Sequence, residues 1–183
     1  MIRRPHDRPA RPDRQPGVRT RAPLYTPAER ARRDATHWTL VQGVLAPLQL
    51  VVMLASAALV LRYLATGDGL RAANASVVLK TLVLYAIMVT GARWEKVVFG
   101  RYLFARAFFW EDVVSVVVVA IHTLYLAGLA GGFLGPRALM YVALAAFAVY
   151  AVNAAQFVLK LRAARLGAAA APVSAPAPLG AAA

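Results

Sequence analysis

Four long apolar stretches constrain this chain more than any other feature of its sequence. They cover about residues 40–64, 73–94, 107–130 and 138–161. Each is close to the roughly 20 residues that an α-helix needs to cross the hydrocarbon core of a bilayer. The third contains the run VVSVVVV, which a membrane helix tolerates because lipid leaves the backbone no hydrogen-bond partner but itself. The sequence therefore predicts an all-α fold, an integral membrane four-helix bundle.

Charge and apolar residues are segregated along the chain. The 183 residues are 60% hydrophobic and yet carry a formal net charge of +13, and ten of the 21 Lys and Arg residues lie between Arg3 and Arg33. Residues 1–24 are rich in Arg and Pro, and residues 167–183 in Ala and Pro. Such segments bury too little apolar surface to fold. We therefore expect two disordered tails around one membrane domain, residues 25–166.

The composition also excludes several classes of protein. There is no cysteine, so disulfides, thiol catalysis and cysteine metal sites are excluded. A basic tail can indicate nucleic acid. This tail lacks interleaved aromatic residues and adjoins a membrane segment, so the predicted partner is the bilayer and not a nucleic acid. The sequence has no Gly-rich phosphate loop, HExxH motif or serine nucleophile elbow, and a single buried histidine argues against a bis-histidine haem.

The segment Thr26-Pro27-Ala28-Glu29 has the pattern of a capping box with proline at the first helical position. It predicts a short, basic surface helix immediately before the first span.

The distribution of Lys and Arg predicts the orientation in the membrane. Four spans place both termini on the same side. The N-terminal flank, the connector 93–106 and the C-terminal flank are rich in Lys and Arg, whereas the other two loops carry only Arg71 and Arg137, with Arg62 at a helix end. Because basic loops stay on the cytoplasmic side, we expect both termini to be cytoplasmic.

Acidic residues cluster at that cytoplasmic level. Glu95, Glu111 and Asp112 are three of the four acidic residues that follow Asp34. At about 1.5 Å of rise per residue, Glu111 and Asp112 lie less than about a turn and a half inside the boundary. Counted in the same way, the side-chain amides at this level are Gln42, Asn153 and Gln156. We predict a cytoplasmic polar layer to which all four helices contribute.

Two further polar residues lie deeper, Lys80 and His122. Glu111, Ser115 and His122 share one helix face, because eleven residues at about 100° each return almost to the starting direction. Eleven residues also correspond to about 16 Å of rise. Glu111 and His122 therefore cannot be a contacting acid–base pair, although they could line opposite parts of one long cleft.

Each of these features also has a purely structural interpretation. Lys80 could extend its ammonium group to the far interface, and His122 could be a neutral histidine bonded to a neighbouring helix. The three carboxyl groups could be simple interfacial charges. The functional interpretation is a general acid, because burial among apolar neighbours keeps a carboxyl group protonated while a second carboxyl stays ionised. The side-chain amides could form hydrogen bonds between helices. The four amide residues are Gln42, Gln49, Asn153 and Gln156.

The residues alone name no substrate, but three segments resemble a known family. They are HWTLVQGVLAPLQ from His37, KTLVLYAIMVTGARWEKVVFGRYLF from Lys80, and AFFWED from Ala107 followed by HTLYL from His122. They are similar to the 3-vinyl (bacterio)chlorophyllide hydratases, formerly called 2-vinyl bacteriochlorophyllide hydratases. The resemblance covers about residues 25–166.

The resemblance implies a hydro-lyase of bacteriochlorophyll biosynthesis in the bacterial inner membrane, cytoplasmic or intracytoplasmic. Such an enzyme adds water across the C3 vinyl group of a magnesium chlorin and gives a 1-hydroxyethyl group. No cofactor is implied, because the magnesium arrives with the substrate. Other enzymes of the same pathway are possible partners.

This chemistry gives roles to the polar residues. Protonation of the terminal CH₂ leaves a cation beside the ring, and water adds there. Glu111 or Asp112 is the candidate acid; the other, or Glu95, would stabilise the cation and orient water. His122 is a further candidate, as an acid or as an axial ligand of the substrate's magnesium. The remaining residues are candidates for substrate binding. The basic ones, which would bind the propionate, are Lys96, Arg101 and Arg106, and the amides are Asn153 and Gln156.

Two other functions remain open at this point. A non-catalytic pigment-binding or assembly protein of the photosynthetic membrane would need His122 and an apolar cleft but no carboxyl groups. A purely structural membrane subunit would show neither pigment binding nor turnover.

Overall fold

The computed structural model describes residues 24–169 as an all-helical chain. Its helices are α1 (Pro27–Ala35), α2 (His37–Thr66), α3 (Leu70–Phe99), α4 (Phe109–Gly131) and α5 (Pro136–Ala169). The described part contains no strand, which confirms the predicted all-α class. The predicted N-terminal tail up to residue 23 and the predicted C-terminal tail beyond residue 169 lie outside the described residues.

Helices α2 to α5 are each long and apolar enough to cross a membrane. Their outward faces carry large apolar side chains that are more than half exposed, such as Leu40, Leu54 and Leu82. A soluble protein rarely exposes so continuous an apolar surface, so the predicted integral membrane fold is confirmed. Three of the helices extend beyond the predicted spans at both ends. Hydropathy predicts only the apolar part of a helix, whereas the helix itself can continue into polar residues outside the hydrocarbon core.

The four long helices form a bundle of two antiparallel hairpins. Helix α2 packs against α3 and α4 against α5, while contacts between α2 and α5 and between α3 and α4 join the hairpins. Polar contacts fix the register of the first hairpin: Gln42 Nε2 donates to Thr90 Oγ1 at 2.8 Å, and Ser56 Oγ donates to the Ser76 carbonyl at 2.9 Å. The core between the hairpins is apolar, with buried residues that include Val60, Val77, Leu84, Val118 and Met140.

The second hairpin depends on a close approach at Gly128. A Cβ atom there would lie 2.6 Å from Leu134 Cδ1 and 3.2 Å from Leu139 Cδ2. A Cβ atom would force the Leu134 side chain to shift, so the glycine allows close packing at the α4–α5 turn, as is common for small residues between membrane helices.

Helix α1 lies on the surface, as the capping box predicts. Thr26 Oγ1 accepts from the Glu29 N–H at 3.3 Å, and Glu29 Oε2 accepts from the Thr26 N–H at 2.7 Å. No residue of α1 is buried, but Arg32 Nε donates to the Val98 carbonyl of α3 at 2.8 Å. Beside it, burial raises the pKa of Tyr25 above its ordinary value, and Arg33, 4.8 Å from the ring centroid, partly opposes this shift. Helix α1 therefore covers the end of α3.

Candidate active site

Glu95, Glu111 and Asp112 are brought together at one end of the bundle. Glu95 lies in the last turns of α3, and the other two lie in the first turn of α4. The connector 100–108 joins these helices at the same end, which also contains the start of α2, because Trp94 Nε1 donates to Thr39 Oγ1 at 2.9 Å. All three acidic residues are buried, with exposures of 5%, 6% and 5%. We call this the acidic end.

Glu95 and Asp112 form a pair of carboxyl groups within hydrogen-bonding reach of each other. The backbone N–H of Phe104 donates to Asp112 Oδ2 at 2.7 Å, and that of Ala105 donates to Glu95 Oε2 at 3.2 Å. A carboxylate is only an acceptor, so two carboxyl groups bond to each other only when one carries a proton. The geometry therefore suits a pair that holds a single proton away from water.

The connector adopts an unusual conformation in order to reach this pair. Phe104 has a φ of 60°, the only positive value at a non-glycine residue in the described chain. A left-handed residue of this kind costs about 1–2 kcal/mol, and such strain is often found at functional sites. Here it accompanies two successive N–H groups that both donate to carboxyl oxygens, an arrangement that binds anions. This contribution of the connector was not predicted from the sequence.

Glu111 has a different partner. Its Oε2 is 2.5 Å from Lys160 Nζ of α5, and the side chains are 8% and 28% exposed. A carboxylate held by an ammonium group at this distance is ionised. Lys160 belongs to the basic C-terminal flank of the last span, and its pairing with Glu111 was not predicted. Its spacing from Asn153 and Gln156, seven and four residues, places all three on one face of α5, and this pattern could have indicated its role.

The predicted side-chain amides separate into two groups. Asn153 is 8% exposed, and its Nδ2 donates to Ser115 Oγ of α4 at 2.7 Å. Asn153 Oδ1 and Gln156 Oε1 are buried and have no hydrogen-bond partner in the described part of the chain. Gln42, by contrast, bonds to Thr90 within the α2–α3 interface. The polar layer is therefore contributed by α3, α4 and α5, and Gln42 serves as an interhelical contact.

The predicted basic residues lie on the surface at the same end. Lys96, Arg101 and Arg106 are all exposed. Lys96 Nζ donates to the Gly100 carbonyl at 2.9 Å and lies 5.4 Å from the Tyr102 ring centroid. The exposed side chains of the same region include four aromatic residues, Tyr102, Phe104, Phe109 and Trp110.

His122 and Lys80 lie in the middle of the bundle, where both are fully buried. The proposal that Lys80 reaches the far interface is wrong, because its Nζ is buried 4.0 Å from the Tyr150 ring centroid. The proposal that His122 bonds to a neighbouring helix is also wrong. Its Nδ1 lies 2.8 Å from the Val118 carbonyl of its own helix, and its Nε2 has no partner among the described residues.

The described residues contain no group of three His, Asp or Glu side chains that could hold a metal ion. Two open surface depressions, of about 460 and 330 Å³, are lined largely by α1 and its flanks and do not include the buried carboxyl groups.

The fold and this site define a class of protein: a helical membrane protein with four spans and a buried carboxyl centre at one end. Comparisons make the identification more specific. The profile of the 2-vinyl bacteriochlorophyllide hydratase (BCHF) family matches residues 25–163. A 2-vinyl bacteriochlorophyllide hydratase of Cereibacter sphaeroides is 64% identical over 144 residues, which are 78% of this chain and 89% of that protein. One of Rhodobacter capsulatus is 60% identical over 150 residues, 82% of this chain and 87% of that protein.

The chain therefore belongs to the 2-vinyl bacteriochlorophyllide hydratase family. It is a hydratase, and so a hydro-lyase, of bacteriochlorophyll biosynthesis, and both predictions are confirmed. No solved structure matches the chain.

Proposed function

We propose that this chain adds water to the C3 vinyl group of a magnesium chlorin, chlorophyllide a or 3-vinyl bacteriochlorophyllide, and gives the 3-(1-hydroxyethyl) product. The names of the relatives support a vinyl bacteriochlorophyllide as substrate. The observation within this chain that carries the proposal is the buried pair of Glu95 and Asp112, held by two backbone N–H groups. Hydration of an alkene at neutral pH needs such a stored proton, because an alkene is a weak base.

The reaction begins with transfer of the proton from the Glu95–Asp112 pair. The π electrons of the vinyl group form a new C–H bond at the terminal CH₂, which becomes CH₃. The carbon attached to the ring becomes a cation that the macrocycle delocalises. Water forms a C–O bond at that carbon, and the resulting oxonium returns one proton to the pair. The enzyme ends in its starting protonation state, and the net change is the addition of one water molecule.

In this proposal Glu111 stabilises the cation. Its carboxylate is already ionised, because Lys160 contacts it directly. A fixed negative charge beside the developing cation lowers the energy of the transition state, and it needs no reorganisation during the reaction. The two arrangements thus favour different roles for the carboxyl groups: the pair as the acid and Glu111 as the electrostatic partner.

The pigment would approach from the lipid at the acidic end. An apolar macrocycle suits the exposed aromatic side chains around Phe109 and Trp110, and its propionate suits the basic residues nearby. These are Lys96, Arg101 and Arg106. Because basic residues concentrate at this end, we place it, and both termini, on the cytoplasmic side of a bacterial inner membrane.

His122 is a weaker candidate as the axial ligand of the substrate's magnesium. Donation from Nδ1 to the Val118 carbonyl leaves the lone pair on Nε2. However, His122 lies about 16 Å of helix rise below Glu111. The vinyl group sits at the ring edge, much closer than this to the magnesium. One bound orientation of the pigment therefore does not combine magnesium ligation by His122 with a contact between the vinyl group and Glu111. A separate variant must test each of these contacts.

The experiment measures hydration of vinyl chlorophyllide by membranes that contain Glu95→Gln, Glu111→Gln, Asp112→Asn or His122→Ala. We expect the rate to fall by about 10²–10⁴-fold in the two variants of the pair, the usual contribution of a general acid. Full activity in all three carboxamide variants would disprove the carboxyl mechanism. Loss of activity in His122→Ala alone would transfer the central role to the histidine.

A non-catalytic pigment-binding role is the second candidate, favoured by the free Nε2 of the buried His122. It predicts that purified protein binds the vinyl pigment and that the absorption shift depends on His122, with no conversion of the vinyl group.

A further inference from the structure

Two amide oxygens near the carboxyl groups are unexplained by the roles given above. Asn153 Oδ1 and Gln156 Oε1 are buried and have no hydrogen-bond partner among the described residues. The other end of the Asn153 amide is fixed, because its Nδ2 donates to Ser115 Oγ at 2.7 Å. An unpaired buried carbonyl oxygen costs about 1–3 kcal/mol, so two of them on adjacent turns indicate a missing ligand.

The register of α4 and α5 fixes where these oxygens lie. Asn153 is opposite Ser115, and Lys160 is opposite Glu111. Gln156 lies between Asn153 and Lys160 on the same helix face, about 4.5 Å along the axis from the first and about 6 Å from the second. It therefore lies at a level between Glu111 and Ser115 of α4. Asp112 follows Glu111 directly in α4, so the two oxygens lie within about one helix turn of the level of the proposed acid.

The chemistry of two acceptor oxygens selects the ligand. Both can only accept hydrogen bonds, so the ligand must present two donors. A magnesium chlorin has no N–H group, and its ketone and ester oxygens are themselves acceptors. Water presents two O–H donors and can bond two acceptor oxygens on neighbouring turns. We infer that Asn153 and Gln156 bind the water molecule that is added to the vinyl group, an inference that rests on the proposed hydration.

Binding of this kind also orients the water. When both O–H groups donate to the amide oxygens, a lone pair points away from α5, towards the face where Glu111 and Asp112 lie. That lone pair forms the C–O bond at the cation. Rotation about the new C–O bond then turns one O–H of the oxonium from its amide oxygen to the carboxyl pair, which takes the proton. Asn153 and Gln156 contact the reacting water itself, whereas Ser115 only positions Asn153.

The experiment separates protonation from water addition. In D₂O, protonation without capture returns the vinyl group with deuterium at its terminal carbon, while capture gives the alcohol. Mass spectrometry of recovered pigment measures the ratio of alcohol to deuterated vinyl pigment. The variants are Asn153→Leu and Gln156→Met, which keep side-chain size and remove the acceptor. The matched control is Gln42→Met, because the Gln42 amide bonds to Thr90 on another interface.

We expect the ratio to fall up to about tenfold for each removed oxygen, the value of one hydrogen bond, while deuterium exchange continues. Gln156→Glu keeps an acceptor oxygen and should retain much of the wild-type ratio, whereas Gln42→Met should leave the ratio unchanged. An unchanged ratio in both Asn153→Leu and Gln156→Met would overturn the inference. A parallel loss of exchange and alcohol in these variants, with the protein present at wild-type levels in the membrane, would overturn it as well.

Failure of the proposed function itself looks different. If this chain does not protonate the vinyl group, wild-type membranes show neither exchange nor alcohol beyond membranes without the protein. The Asp112→Asn variant provides the internal reference, because it should lose both products together.

Discussion

Two buried polar regions of the bundle differ in the partners of their ionisable side chains. At the acidic end, Glu95 and Asp112 accept backbone N–H groups and Glu111 accepts from Lys160. In the middle of the bundle, Lys80 Nζ, His122 Nε2 and both amide atoms of Gln49 have no hydrogen-bond partner in the part of the chain that the structure describes. The three acidic residues are at most 6% exposed, and Lys80, His122 and Gln49 are at most 1% exposed, so burial of these side chains does not distinguish the regions.

Burial is similar in the two regions, so hydrogen-bond and ion-pair partners determine whether a buried polar side chain stabilises or destabilises the protein. A satisfied polar network is held rigidly and is costly to disturb. A buried polar nitrogen without an acceptor is itself a cost, so its removal should not harm the fold. Substitutions in the two regions should therefore change stability in opposite directions.

The largest expected effect is on catalysis at the acidic end. The double variant Glu95→Gln/Asp112→Asn should lose about as much activity as either single variant, 10²–10⁴-fold, because residues that act as one unit are strongly non-additive. Initial rates of vinyl hydration measure this, with Asp68→Asn on the exposed loop as the control. Multiplicative losses would show that the two carboxyl groups act separately.

The next effect tests the ion pair. Lys160→Met leaves the Glu111 carboxylate buried without its cation and should destabilise the protein by about 3 kcal/mol, the lower end for a broken buried pair because Lys160 is partly exposed. Lys160→Arg should retain most of the stability. Thermal denaturation of the detergent-solubilised protein gives the comparison, and equal midpoints for wild type and Lys160→Met would contradict it.

In the middle of the bundle, removal of a polar side chain should stabilise the protein instead of destabilising it. Lys80→Met removes a buried amino group that has no hydrogen-bond partner among the described residues and keeps the length of the side chain, so we expect the protein to be stabilised by about 1–2 kcal/mol. Loss of the Tyr150 contact limits the gain. Arg71→Met, at an exposed position, is the control. A lower midpoint for Lys80→Met than for wild type would mean that the Tyr150 contact outweighs the cost of burying the amino group.

The smallest effect concerns the connector. Phe104→Gly relieves the positive φ but gains chain entropy in the unfolded state, so we expect a stabilisation of less than about 1 kcal/mol. Tyr102→Gly, where φ is not positive, should destabilise instead. Denaturation midpoints of the two variants, measured together, should move in opposite directions, and a common direction would exclude strain at Phe104.

The sequence alone determined the architecture, because it depends on local and one-dimensional properties. Hydropathy over about 20 residues fixed the four spans, Thr26 and Glu29 fixed the start of α1, and the distribution of basic residues predicted the orientation. Periodicity placed Glu111, Ser115 and His122 on one face, and all three are buried. The resemblance of three segments gave the family, which the comparisons support.

The partners of the polar groups could be identified only in the folded structure, because those contacts join residues that are distant along the chain or depend on backbone conformation. Lys160 and Glu111 are 49 residues apart, and no periodic pattern on α4 alone could pair them. The left-handed Phe104 brings two N–H groups to the carboxyl pair, and the sequence gives no sign of this at a phenylalanine. Lys80 stays inside the bundle because Tyr150 of another helix meets its ammonium group, whereas its position in α3 was equally compatible with the interface.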